Sequence, residues 1–358
     1  MMDVRQFHRR FFDASRDLLP AGAKIVCAVS GGADSMAMLH GLCAVNGLRD
    51  RRWLLSVTHV NHQIRRDSEE CAKFVRQTAC DLGLECRVEA ADVPAIQKAE
   101  GGTLEETGRR VRYEFLHRAA GDTGASVVAV AHHADDQAET VLHRIVRGTG
   151  LHGLAGMRRS RPIEEGNTIV LVRPLLGFRR AELREYLLAR GLSSWEDATN
   201  ADPAAATRNR IRHEVIPQLE AKLNPHAVGA LVRLANQADD AAQTIRWAAE
   251  RAMAEIRVEA GGGEVRLTAS LLAAFPAALR SQIVRLALDE VGAEFGQLGQ
   301  ERINAAVELA NRDRRRRTIE LPGGIRVERQ SDHWVARRPC SAAVIGAEGP
   351  LQVKQRYS

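Results

Sequence analysis

Residues 24–30 (KIVCAVS) form a short, mostly apolar run that stops at Gly31-Gly32 and passes at once into the helical pattern Met36, Leu39, Leu42, Cys43. A buried strand turning this tightly into a helix aims backbone N–H groups into the turn and sets a helix N-terminus behind them, which together make an anion cradle. Ser30 and Ser35 add hydroxyl donors, and Asp34 adds a carboxylate. A carboxylate beside bound phosphates repels them unless a divalent cation lies between, so Ser30-Gly31-Gly32-Ala33-Asp34-Ser35 implies a polyphosphate with Mg²⁺ on Asp34. The turn is not the G-x-x-x-x-G-K-[ST] loop. With no lysine to steady a γ-phosphate, cleavage between the α- and β-phosphates is the expectation.

The rest of the first half repeats the strand–helix alternation. Strands are predicted at 53–60, 85–90 and 126–131, and helices at 67–82 and 135–147. Short buried strands alternating with helices indicate an α/β fold with a doubly wound parallel sheet, whose ligand lies outside the carboxyl ends of the strands. After Gly150 a glycine-punctuated loop leads to a helix at 180–190 and another at 208–223, with Pro217 as a kink. Asn224-Pro225 reads as the start of a linker. Helices then follow at 227–256, 278–291 and 300–311, and a hairpin around Pro322-Gly323-Gly324 precedes a third strand at 333–337. The predicted organisation is a catalytic domain over 1–222, a smaller, mainly helical C-terminal domain with a terminal hairpin over 223–340, and a tail over 341–358.

The 358 residues carry a formal net charge of +6, which fits an anionic partner. The basic residues are nearly all arginine, suited to bidentate phosphate contacts. The run Arg314-Arg315-Arg316-Arg317 could grip an RNA backbone, although a charge run is more often a solvated face. Cys27, Cys43, Cys71, Cys80, Cys86 and Cys340 form no C-x-x-C pair, which argues against a zinc ribbon, a dithiol centre or a disulfide framework. No stretch approaches the roughly 20 apolar residues of a membrane span. A soluble, cytoplasmic protein is therefore expected.

Four further strings carry chemistry. His59-Val60-Asn61-His62-Gln63-Ile64-Arg65 ends the second strand, where imidazoles could reach a nucleotide's base, ribose or phosphates. In Glu105–Tyr113, residues Glu105, Arg109 and Arg112 share one helix face. Ala131-His132-His133-Ala134-Asp135-Asp136-Gln137-Ala138-Glu139-Thr140 opens a helix after a buried strand, so its carboxylates sit at the positive helix end. Asp136 and Glu139 face the same way and could share a metal, or bind an ammonium group and take its proton. A zinc site is the competing chemistry, though no His-x-x-x-His completes it. Finally, Trp195–Asp202 has turn-forming residues, and Arg208-Asn209-Arg210-Ile211-Arg212 begins a helix.

The turn at Ser30–Ser35 resembles the S-G-G-x-D-S hallmark of the PP-loop ATP pyrophosphatases, with their adenine nucleotide alpha hydrolase-like fold. The strings at 59–65, 105–113, 131–157 and 195–212 are similar to those of one branch, the tRNA(Ile)-lysidine synthases. The match is weakest at Pro203–Thr207, where the spacer before Arg208 lacks an aromatic residue and is one residue longer. The resemblance implies ATP and Mg²⁺, L-lysine, and the wobble cytidine of tRNA(Ile) with a CAU anticodon, ligated through an adenylated base so that decoding changes from AUG to AUA. It also implies catalytic roles for Asp34, Arg112, Asp136, Glu139 and Arg208. Ser30, Gly31, Gly32, Ala33, Asp34, Ser35, His59 and His132 would bind ATP, Asp34 and Asp136 the metal. Arg210, Arg212 and the run 314–317 would contact tRNA. Members often carry a further C-terminal domain, which a 358-residue chain is expected to lack. A tRNA 2-thiolation enzyme of the same fold is the alternative, but it would call for paired cysteines or an iron–sulfur cluster. The sequence leaves a homodimer open.

Overall fold

The computed structural model describes residues 3–64, 67–164, 166–195, 206–258, 263–293, 298–311 and 318–338. Contacts divide the chain into two compact units, one ending at Asp240 and the other beginning at Ala241.

The first unit is built on a six-stranded sheet in the order β3-β2-β1-β4-β6-β5. Its strands are β1 Lys24–Ala28, β2 Leu54–Asn61, β3 Glu85–Ala90, β4 Val127–Ala129, β5 Ser160–Pro162 and β6 Val170–Val172. All neighbours are parallel except β5 on β6. The order reverses between β1 and β4, so a crevice opens at the carboxyl ends of those strands. The expected sheet is present, with β5 and β6 added. Three-residue strands carry too little alternation to be read locally; only pairing with β4 extends the sheet there.

Helices α1 Val4–Ser15, α2 Ala33–Arg49, α3 Ser68–Asp81, α4 Val93–Glu100, α5 Leu104–Thr123, α6 Ala134–Val146, the single turn α7 Leu151–Leu154 and α8 Arg180–Ala189 connect these strands. Local chemistry sets their ends. Thr103 caps α5 in a reciprocal box with Glu106, and Gly124 closes it with φ +64. The core beneath α1 and α8 is aromatic: Phe7 stacks on Tyr186 with ring centroids 3.9 Å apart and also meets Phe178.

Beyond α8, the helix expected over 208–223 is three joined pieces: α9 Ala206–Arg210, a π turn Ile211–Val215 and α10 Ile216–Lys222. The kink expected at Pro217 appears as the widened turn just before it, where the missing proline N–H disrupts the regular ladder. Helix α11 Ala227–Ile256 is the single long helix predicted. Its first half packs Val228, Leu231 and Val232 with Ala134, Ala138, Ile211 and Ile216. That packing carries the compact first unit past the expected boundary at 222 to Asp240.

The second unit has the expected helices and terminal hairpin, the hairpin being part of a five-stranded antiparallel sheet, β7 Arg257–Val258, β8 Glu264–Thr268, β9 Thr318–Leu321, β10 Ile325–Gln330 and β11 His333–Arg337, in the order β7-β8-β11-β10-β9. The predicted hairpin and third strand are β9 to β11. What local sequence did not show is β8, which pairs with the distant β11. Helices α12 Ala269–Ala274, α13 Ala277–Glu290 and α14 Gln300–Glu308 complete the unit. Trp334 is fully buried there, and its indole N–H donates to the Ala306 carbonyl at 2.8 Å.

Replacing Phe7 with alanine removes a ring that no neighbour can replace, so the first unit should lose about 3–5 kcal/mol. Urea denaturation of the two proteins reads this directly.

Candidate active site

The turn after β1 has the predicted geometry. Gly31 adopts φ +89, and a Cβ placed there would lie 2.7 Å from the Cys71 Sγ atom, so the loop and α3 approach as closely as glycine allows. The Ser30 N–H donates to the Ser35 hydroxyl at 3.1 Å, and that hydroxyl donates to the Gly32 carbonyl at 2.9 Å. Gly32 is the N-cap of α2 and offers no side-chain cap, which leaves the first N–H groups of the helix to an external acceptor.

The loop forms one wall of a cavity of about 450 Å³ at the carboxyl ends of β1, β2 and β4. Ser30, Gly32, Asp34, Ser35, His59, His62, Arg112 and His132 line it, with Tyr113 and Trp195. Among the described lining residues Arg112 is the only guanidinium or ammonium. It is accessible because it opens on the cavity, although protein atoms surround it densely.

The cavity histidines are held neutral. Burial lowers the pKa of His59, whose Nδ1–H donates to the Val29 carbonyl at 2.8 Å. Burial, with help from Arg112 and His59, lowers His62 to about 4. Burial and then Arg173, Arg109, Arg112 and Arg208 push His132 well below its ordinary value.

A second cluster adjoins this cavity through Asp34. His133 is fully buried as the N-cap of α6. Its Nε2 lies 3.5 Å from Asp34 Oδ2 and 3.6 Å from Asp136 Oδ2, and its Nδ1 lies 3.6 Å from Asp135 Oδ2. Burial lowers the His133 pKa, but the hydrogen bond to Asp34 and the charges of Asp136, Asp34 and Asp135 outweigh it and raise the net value. Asp135 is itself held by Arg179 at 3.0 Å and by the Arg180 backbone N–H at 2.8 Å, which fixes the start of α8.

Glu139, one α6 turn further, is buried between Arg208 Nε at 3.1 Å and Arg212 Nε at 3.0 Å. Arg212 also reaches Asp136 Oδ1 at 4.0 Å. Burial, with the negative charge of Asp136, raises the Glu139 pKa against the opposing effect of Arg212 and Arg208. The two carboxylates predicted to share a face therefore share a guanidinium. Arg212, expected to face RNA, instead sits on Glu139, while Arg210 is exposed and 3.8 Å from Glu214. Arg314 to Arg317, Arg65 and residues 196–205 lie outside the described residues.

The donor set fits Mg²⁺. Asp34 Oδ1 is buried and has no hydrogen-bond partner, and Asp34 and Asp136 converge on one imidazole edge. No group of three or more metal-ligating side chains forms among the described residues. Mg²⁺ needs only one or two carboxylates beside phosphate and water, so a larger group is not required.

His133, Arg173 and Arg180 are the residues in contact with the candidate site residues that sequence reasoning missed. His133 stood beside a histidine already assigned to ATP. Only the capping bond to Asp136, a consequence of helix placement, separates their roles.

Residues 4–219 match the family model of the PP-loop domain. The tRNA(Ile)-lysidine synthase of Salinispora arenicola is 34% identical over 335 residues, covering 94% of this chain and 97% of that protein. The chain belongs to the tRNA(Ile)-lysidine synthase family. The Geobacter sulfurreducens member is 38% identical over 89% of this chain, which spans 66% of that longer protein. In fold, this chain is similar to the U34-tRNA thiolase NcsA from Methanococcus maripaludis, at TM-score 0.55 and 19% identity, covering 65% of this chain and 78% of that one. No helix among the described residues is long and apolar enough to cross a membrane.

Two outcomes follow from this geometry. Gly31→Ala must place a Cβ against Cys71 at a positive φ, so ATP affinity measured by calorimetry should fall at least roughly tenfold, with about 1–3 kcal/mol of stability lost. The folded pKa of His62 lies below its unfolded value of 6.5, so the unfolded chain takes up the proton first on acidification. Stability is thus lost as pH falls from 6.5 towards 4. Between pH 7 and 5 this single group costs roughly 2 kcal/mol, which His62→Gln should remove in paired urea titrations.

Proposed function

We propose that the chain is an ATP-dependent carbon–nitrogen ligase that joins L-lysine to C2 of the wobble cytidine in tRNA(Ile) with a CAU anticodon. The observation that carries this reading is the junction at Asp34. A phosphate cradle on one side meets, through His133, a paired-carboxylate site on the other. The first suits ATP and the second suits an amine, and family membership supports the pairing.

In the first step the cytidine O2 attacks the α-phosphorus, forming an O–P bond while pyrophosphate leaves. Ser30 to Ser35 hold the polyphosphate, His59 and His132 border the nucleotide, and Arg112 faces the phosphate undergoing attack. Mg²⁺, held by Asp34 and Asp136, would offset charge on the departing pyrophosphate. In the second step the lysine ε-nitrogen attacks C2 and AMP departs with the former O2.

Only a neutral amine is nucleophilic, so the ammonium must lose a proton first. Glu139 is suited to accept it, because burial raises its pKa while Asp136 adds negative charge nearby. Arg208 and Arg212 occupy Glu139 in this state, so amine binding must displace at least one of them. Arg208 then contributes positive charge nearer the reacting phosphate. Arg210 and the run 314–317 are assigned to the tRNA backbone.

Pyrophosphate release, measured with tRNA transcripts with and without lysine, tests the reading. Glu139→Gln should cut lysine incorporation by about 10²-fold or more while pyrophosphate release continues, whereas Asp136→Asn, which also removes a metal ligand, should lower both. Unaltered incorporation in both variants sinks the amine-site assignment. Sulfur incorporation in place of lysine would mark the chain as a thiolation enzyme.

A further inference from the structure

Arg173 stands just beyond β6, with only 3% of its surface exposed, and no carboxylate lies within 4 Å among the described residues. A buried guanidinium without a counter-ion is costly unless its donors have other partners. Its Nη1 donates to the Arg158 carbonyl at 2.7 Å, it approaches the Tyr113 phenol, and its Nε donates to His132 Nδ1 at 3.2 Å.

The last bond has a direct chemical consequence. An arginine Nε is always a donor, so the His132 Nδ1 it meets must present a lone pair. In a neutral imidazole the proton then sits on Nε2. His132 lines the cavity at the end of β4, and Nε2 is the nitrogen left to serve it.

His59 is wired in the opposite sense: its Nδ1–H is used on the Val29 carbonyl, which leaves Nε2 as an acceptor. One cavity thus holds two neutral histidines of opposite hydrogen-bonding polarity. The donor, His132, stands on the β4 wall, and the acceptor, His59, stands on the β2 wall beside the loop.

We propose that Arg173 is a positioning residue that fixes His132 as the Nε2–H tautomer, a neutral donor to a phosphate oxygen of the bound nucleotide. A fixed neutral donor suits this place. It stabilises anionic oxygen without giving up its proton, and it needs no reorientation as charge develops. Arg112 supplies the positive charge among the described lining residues, and His132 supplies direction. The inference rests on the nucleotide reading of the cavity, but the tautomer itself can be observed without turnover.

Long-range proton–nitrogen correlation spectra of the ¹⁵N-histidine-labelled full chain report it, with His132 signals assigned by their loss in His132→Gln. In the unsubstituted protein Nδ1 should resonate as a bare nitrogen and Nε2 as a protonated one, with the reverse for His59. In Arg173→Gln the His132 pattern should become mixed or reversed. An unchanged His59 pattern in the same spectrum shows that the fold has survived.

The tRNA-dependent release of pyrophosphate should then lose roughly tenfold to a hundredfold in kcat, with KM for ATP changed far less. The Arg173→Gln/His132→Gln double variant should be no worse than His132→Gln alone. A protonated His132 Nδ1 in the unsubstituted protein overturns the proposal. So does an unaltered tautomer in Arg173→Gln with His59 intact, or an altered tautomer with unchanged kcat. If no tRNA stimulates pyrophosphate release even in the unsubstituted protein, the ligase reading fails while the spectra still decide the role of Arg173.

Discussion

A buried imidazole among the carboxylates of Asp34, Asp135 and Asp136 holds three parts of the first unit to one point. Asp34 belongs to the phosphate loop, Asp136 to the first turn of α6, and Asp135 to the bonds that start α8. Carboxylates this close repel one another unless a cation lies among them. The His133 imidazole, its pKa raised by those carboxylates, lies among them, and Arg179 and Arg180 supply cations at the periphery. The cluster is costly to desolvate and is stable only while complete, since removing one member of a buried pair typically costs about 3–5 kcal/mol. Positional accuracy at the phosphate loop depends on it, because the Asp34 carboxylate has little else to hold it.

From that point charge is sorted in two directions. Towards the cavity the imidazoles are neutral, and Arg112 alone among the described lining residues brings full positive charge. Along α6 the sign reverses, and buried Glu139 draws in Arg208 and Arg212. Phosphate chemistry and amine chemistry need opposite fields. Here the cavity and the carboxylates along α6 carry those opposite fields and adjoin at Asp34.

The π turn Ile211–Val215 bears on the same arrangement. Arg208 and Arg212 lie on either side of the junction between α9 and that turn, and both reach Glu139. Widened turns of this kind often occur at functional sites because they redirect side chains without breaking the helix. In the second unit the organising element is instead the β8–β11 pairing, which places Trp334 over the Ala306 carbonyl and closes an apolar core.

Local chemistry in the sequence determined the phosphate loop, the parallel sheet and the long helix α11. Each follows from signals within one short window: Gly31-Gly32 after an apolar run, strand–helix alternation, and sustained helical periodicity. The strings around His59, Arg112 and Asp136 were legible for the same reason, since each lies at the end of a strand or on a single helix. Tertiary structure alone decided what those residues meet. Arg212 reaches Glu139 through the folding of α9 and the π turn onto α6. His133 parts from His132 because one caps a helix and the other borders the cavity. Arg173 acquires its partner only when β6 is set beside β4. Pairings across the sheet and between distant segments depend on burial and packing geometry, and a linear pattern of residue types does not contain them.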